Sequence, residues 1–275
     1  VDPSKLLTKD EIDELLEEAT KPRDKAAIAL LADTGMRIGA VASLRIRDLD
    51  FSGRVGTVGI NEEANVKDAS GSVPVTWSRG YVANWLDIHP RTDDPDAPVV
   101  HKLGGYHRGD DDGALTYQYL SRRIREIGLE AGIERDRLRT HNFRKSAISR
   151  WIREGLSEQE IKHRAFWVKD SSQFEIYSGV TEEEMNTQIA QHYGLADETE
   201  TTEPDVSECV QCRTPHRANS RFCPGCGAPL SAGASETVTE AEEALFNDAA
   251  ESIDHAALST LRDLHSAVKE SPELK

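Results

Sequence analysis

The chain has 275 residues, and its 33 Lys and Arg stand against 49 Asp and Glu, a formal net charge of -16. That length suits one or two domains with a sizeable core, which at 37% hydrophobic and 6% aromatic residues leans on Leu, Ile, Val and Ala. No run of about 18 apolar residues offers a membrane span, and no basic-then-apolar leader opens the chain. No membrane partner and no secretion are therefore expected, and the expected location is cytoplasmic. The first residue is Val1 rather than Met, which reads as a fragment of something longer.

An acidic surface ordinarily repels nucleic acid. At molar ionic strength, however, the Debye length falls to about 3 Å and distant carboxylates hardly matter. The basic residues are 22 Arg and 11 Lys, and abundant carboxylate with scarce Lys reads as a protein from a salt-loaded cytosol. The overall sign leaves the partner open.

In chain order, residues 1–35 predict two helices. Thr8 and Glu11 form a capping box for the first, and Pro22 suits the first turn of the second, whose apolar run Ala26 to Ala32 stops near Gly35. A third helix is expected from Ile38 to Leu44. Residues 46–76 carry Gly53, Gly56, Gly59 and Gly71 among Val55, Val58, Val66, Val73 and Val75, the pattern of a small antiparallel sheet with turns. Helical periodicity returns over Tyr81 to Leu86, and the Asp-, Pro- and Gly-rich stretch 89–114 is expected to be an exposed or functional loop.

Residues 115–192 predict several helices, one from Phe143 to Arg153, with Ser157 and Glu160 capping the next. Twelve Lys or Arg against seven Asp or Glu between 121 and 167 make a locally basic stretch, a solvated helix face or a phosphate contact. Residues 195–208 are an acidic linker. From 236 to 270 a long amphipathic helix is expected, with Leu245, Ala249, Ile253, Ala257, Leu261, Leu264 and Val268 at steps of three or four; so thin a stripe needs a partner surface. The fold class is α+β and predominantly helical: helices around a small antiparallel sheet (1–194), then a Cys-rich ribbon (209–230) and the long C-terminal helix.

All four cysteines, Cys209, Cys212, Cys223 and Cys226, fall in two C-x2-C knuckles. Such a pair sets four thiolates at the corners of a tetrahedron, the arrangement Zn(II) prefers, and a full shell makes the zinc structural. Two disulfides or a redox dithiol pair are the other readings. Arg213, His216, Arg217 and Arg221 decorate the ribbon, either to meet DNA or to offset the thiolate charge.

Three further stretches hold groups able to do chemistry. Arg37 stands at a helix start after Thr34-Gly35-Met36; His141 and Arg144 lie three apart on one helix face; Tyr177 follows Trp167 by ten residues. Each alone is ordinary, since an Arg at a helix start is generally surface and a Tyr among apolar neighbours generally core.

Together they resemble the tyrosine recombinase (phage integrase) family over residues 7–192. LLADTGMRIGAVASLRIRDLD resembles the first family box, with Arg37 as its arginine. NVKDASGSVPVT resembles the segment with the catalytic lysine, here Lys67. HNFRKSAISRWIREG resembles the His-x-x-Arg box, giving His141 and Arg144. IKHRAFWVKDSSQFEIYSGV resembles the closing segment, with Tyr177 as nucleophile. Where many members carry Gly-His, this chain has Phe166-Trp167; an indole N–H still donates to a phosphate oxygen, and the alignment favours Trp167 over the nearby His163.

The resemblance implies a site-specific recombinase or integrase, of a haloarchaeal type with a C-terminal zinc ribbon, acting on double-stranded DNA through a 3′-phosphotyrosine without a catalytic cofactor. It also implies self-association on DNA, as a tetramer in synapsis. Members usually carry an amino-terminal helical domain that closes a clamp on DNA, so either a segment was removed or the protein is reduced. The alternatives are a DNA-binding relative without cleavage and a type IB topoisomerase-like enzyme.

Overall fold

The computed structural model describes residues 2–53, 55–60, 71–104, 112–167, 174, 186–187, 189–190 and 206–252. Among them, seven helices precede the ribbon: α1 (Lys9–Glu18), α2 (Pro22–Thr34), α3 (Ile38–Ser43), α4 (Ser78–Leu86), α5 (Tyr117–Glu130), α6 (Thr140–Arg153) and α7 (Glu158–Arg164). Strands β1 (Leu49–Asp50), β2 (Gly56–Gly59) and β3 (Ser72–Val75) form one antiparallel sheet in that order, with Leu49 opposite Val58 and Val58 opposite Val73. The α+β, mostly helical expectation holds.

The middle of the fold is α2. Its apolar run is buried from Ala26 to Ala32, so the helix meets protein on every side. Around it, α1 contributes Ile12, Leu15 and Leu16, the sheet Val58, Val73 and Val75, and α5 Leu120, Ile124 and Ile127. The two sequence-read capping boxes are both formed, at Thr8 with Glu11 and at Ser157 with Glu160. At the entrance of α2, the buried Asp24 carboxylate is held between Arg23 at 2.6 Å and Arg123 of α5 at 3.1 Å. This grouping satisfies charges that would otherwise be costly in an apolar interior.

At its other end α2 stops on Gly35, whose φ of 61° is left-handed. A Cβ there would lie 3.0 Å from the Trp151 ring and 3.3 Å from Ala147, so both conformation and space require glycine. Three arginines close on the carbonyls of this terminus. Arg150 donates to Ala32 O at 2.9 Å, Arg144 to Gly35 O at 2.8 Å and Arg164 to Asp33 O at 3.3 Å. Cations at the negative end of a helix dipole are favourable, and here they also bind α6 and α7 to α2.

Two boundaries and one loop differ from expectation. Helix α4 begins at Ser78, and α6 at Thr140, which puts His141 in its first turn. The stretch 89–114 is partly interior: Ala97, Val99, Val100 and His101 are buried. Its backbone pairs with the strand-like exit of α3, Val99 N donating to Leu44 O at 2.8 Å and Ile46 N to Ala97 O at 3.0 Å. That pairing satisfies the polar backbone a buried loop must otherwise leave bare.

The ribbon contains β4 (Val206–Glu208) paired antiparallel with β5 (Pro215–Arg217), so the last three residues of the expected linker are a strand; residues 195–205 lie outside the described ones. The chain divides into two compact units, 1–227 and 228–275. The ribbon thus groups with the helices, and Arg217 is the reason. Fully buried, it reaches Asp13 of α1 at 2.8 Å, donates to Lys9 O at 3.0 Å and lies over the Trp77 ring at 5.3 Å. Beside it, Gly80 of α4 faces Pro224 and Thr214 so closely that a Cβ would meet them at 2.8 and 2.9 Å. The second unit contains α8 (Ala232–Ser252), in which Leu245 is exposed; the expected helix beyond 252 lies outside the described residues. No described helix is long and apolar enough to cross a membrane.

Candidate active site and metal centre

Arg37 is the residue between the Gly35 turn and α3, extended at φ -69° and ψ 145°, which turns its exposed side chain outward. It lines a cavity of about 270 Å³ with Met36, Ile38, Tyr117, Phe166 and Arg144. Arg144 enters from α6 and is 2% exposed. It donates through Nη1 to Gly35 O at 2.8 Å and through Nη2 to Ala165 O at 2.6 Å, and its guanidinium lies over the Trp167 ring at 5.5 Å. Two of the five N–H donors of a guanidinium therefore fix its plane. One side chain joins the turn that presents Arg37 to the segment that presents Trp167.

His141 lies one turn before Arg144. Partial withdrawal from water, then the charges of Lys145, Arg144 and Arg37, push its pKa below the ordinary 6.5. The imidazole is thus poised neutral, able to accept a proton. The sign for stability follows: the folded state resists protonating His141 more than the unfolded chain does, so its neutral form supports folding above about pH 6.5, and that support is lost as pH falls through the folded pKa. The expected result is that His141→Gln flattens the acid limb of the melting temperature against pH between pH 5 and 7. An unchanged slope in calorimetry would assign that limb elsewhere.

Trp167 is half-buried, its backbone amide donating to Lys162 O at 2.8 Å. Before it, Phe166 has a φ of 54°. Glycine adopts that region freely and a bulky residue at a cost of roughly 1–2 kcal/mol, so this backbone keeps the shape of a Gly-containing segment while carrying a ring that packs on the core. Lys67 and Tyr177, the other two sequence-predicted residues, lie outside the described residues.

Sequence reading missed Asp33 and Arg164. Asp33 is wholly buried at the end of α2 and accepts from the Thr76 amide (2.8 Å) and hydroxyl (2.6 Å) and from the Ser78 amide (3.1 Å) and hydroxyl (2.6 Å). Arg164 adds a 2.8 Å ion pair. The only signal in the sequence was a carboxylate closing an otherwise apolar run.

In the ribbon, the Sγ atoms of Cys209, Cys212, Cys223 and Cys226 all lie within 4.8 Å of one another, with 3.8 Å from Cys209 to Cys226 and 3.5 Å from Cys212 to Cys223. A tetrahedron of about 2.3 Å Zn–S bonds has edges of about 3.8 Å, so the cluster has the dimensions of a metal site. Burial pushes the Cys223 thiol up to about 12, whereas at Cys212 burial is outweighed by hydrogen bonds, first that with Thr214, which bring the thiol down to about 6.

The sequence profile of the phage integrase family matches residues 5–184, nearly two thirds of the chain, a range that includes Arg37, Lys67, His141, Arg144, Trp167 and Tyr177. The chain belongs to the phage integrase family. A zinc-ribbon domain profile matches residues 209–230. Among solved structures, the phage integrase chain is similar to XerA recombinase, with a TM-score of 0.54 and 21% identity over 68% of this chain and 62% of that one. It is also similar to XerH site-specific recombinase bound to palindromic difH substrate in a post-cleavage complex, at TM-score 0.50 and 18% identity, over 68% and 53%. At such identities the likeness is one of fold, and this chain spans less than two thirds of either relative. A search of curated proteins finds no match.

Proposed function

We propose that this phage integrase family member is a site-specific DNA recombinase or integrase that cuts and rejoins double-stranded DNA through a 3′-phosphotyrosine. The observation carrying the reading is the gathering of Arg37 and Arg144 in one cavity, with Trp167 under the Arg144 guanidinium. A phosphodiester undergoing attack gathers charge on its two non-bridging oxygens, and guanidinium donors held in place stabilise that charge more than the ground state. Trp167 adds an indole donor.

In the proposed step the Tyr177 oxygen bonds to phosphorus as the bond to the 5′ oxygen breaks. His141, with its lowered pKa, takes the tyrosine proton and Lys67 gives one to the leaving oxygen. The phosphodiester bond energy is kept in the phosphotyrosine, so the 5′-hydroxyl can reverse the reaction on a new partner. No catalytic cofactor enters this scheme. Zinc held by Cys209, Cys212, Cys223 and Cys226 would be structural, its four ligands leaving no position for water.

The DNA partner is supported by the basic stretch 121–167 and by the XerH relative, solved on its substrate. Self-association on DNA, a tetramer in synapsis, a main domain over 1–194, a linker over 195–205 and an oligomerising role for 236–270 complete the proposal. A halophilic archaeal cytosol as the setting is supported by the acidic, Lys-poor composition.

The test is a nicked suicide substrate in molar KCl, resolved on a denaturing gel. A covalent protein–DNA band is expected and should vanish in Tyr177→Phe while DNA binding stays. No band with binding intact would favour a DNA-binding relative without cleavage, and relaxation of supercoiled circles lacking defined sites would favour a topoisomerase.

A further inference from the structure

We propose that Asp33 is a positioning residue for strand cleavage, the single carboxylate that fixes three separated pieces of the active site relative to one another; this rests on the recombinase reading. Three residues separate it from Arg37 along the chain. Its two oxygens accept five hydrogen bonds from outside α2, with none of its capacity left to water.

These bonds go to two places. Four come from Thr76 and Ser78, the junction between β3 and α4. That junction follows the β2–β3 pair, between whose strands Lys67 stands in the sequence. The fifth comes from Arg164 in the last turn of α7, three residues before Trp167. The same Nη2 lies 3.5 Å from the Thr76 hydroxyl, so that junction and α7 meet each other at Asp33. Arg164 is further confined by the Trp151 ring, 4.8 Å from its guanidinium, and that ring packs against Gly35, which starts the Arg37 turn.

A carboxylate suits the task because both its oxygens accept and neither donates, and here it also neutralises Arg164. Both backbone amides donate to one carboxylate oxygen, and Arg164 and the Thr76 hydroxyl to the other. Asparagine keeps the shape but turns one of these acceptors into a donor, which faces either the two amides or Arg164 and the Thr76 hydroxyl, and in either orientation the ion pair is lost. Catalytic groups misplaced by an ångström lose rate out of proportion to any loss of binding.

The experiment compares full-length wild type, Asp33→Asn and Arg164→Met. Adduct formation is timed at saturating DNA, the DNA Kd is measured separately, and amide hydrogen exchange is followed without DNA. In Asp33→Asn the adduct rate per folded molecule is expected to fall about thirtyfold or more, with Kd within threefold. Exchange should quicken at residues 76–78 and 162–167 but not across α5. Arg164→Met should quicken only the second segment and lose less rate, and it serves as the test if Asp33→Asn does not fold. A rate within twofold of wild type, or a loss that merely tracks the unfolded fraction or Kd, overturns the proposal. Should wild type form no adduct, the recombinase reading fails by itself; unchanged exchange at 162–167 would then sink the tie as well, and local quickening there would uphold it.

Discussion

Replacing Arg144 by alanine is expected to abolish detectable cleavage and to lower stability together. The side chain is interior, and its loss strands Gly35 O and Ala165 O, each an acceptor at 2.6–2.8 Å in the intact protein. A buried acceptor left without a donor costs about 1–3 kcal/mol, so two of them would remove a large part of the stability of an ordinary domain. On the chemical side, one guanidinium aimed at a transferring phosphoryl group contributes about a thousandfold or more. Arg144→Lys should retain more stability than rate, because a compact ammonium satisfies one carbonyl but cannot span two and still face the phosphate. Calorimetry and single-turnover adduct formation measure the two losses; an alanine variant melting like wild type would show that the carbonyls find other donors.

If the ribbon holds the proposed zinc, removing it is expected to have the second large effect. The thiols alone cannot hold two knuckles together once their cation is gone, and β5 is the strand that carries Arg217. When β5 loosens, Asp13 loses its ion pair and Trp77 the cation over its ring. Breaking a buried charge pair by removing one member costs about 3–5 kcal/mol. Chelation, Cys223→Ser and Arg217→Met should therefore each lower the melting temperature of the main helical body, by roughly 5 °C or more for a body of this size. If the body melts unchanged after chelation, as a separable module would allow, the Arg217 contact is incidental.

Local signals in the sequence were read well because they act locally. Thr8 with Glu11 and Ser157 with Glu160 each meet within one turn, and Gly35 ends α2 by its own conformation. The start of α6 was missed because Thr140 and His141 add no apolar periodicity. The buried strip 97–101 was missed because its interior place is set by pairing with residues 44–46, which nothing in a Pro- and Asp-rich stretch announces. Arg37 and Arg144, picked out from short boxes that resemble a family, line one cavity, with Trp167 against Arg144; the parts these residues and His141 play in cleavage belong to the proposal. Asp33 was not picked out: its partners lie 43 to 131 residues away, and a carboxylate among apolar residues does not say whom it will meet.

The seating of Arg217 bears on how such a chain can evolve. Asp13, the Lys9 carbonyl and the face of Trp77 form a socket shaped for one foreign guanidinium. A ribbon grafted from another protein would bring zinc ligands but no plug for that socket, and this ribbon moved elsewhere would carry a bare buried arginine. Gain or loss of the ribbon in a lineage should thus travel with changes at positions 13, 77 and 80, so that those three positions foretell whether a relative ends in a docked ribbon.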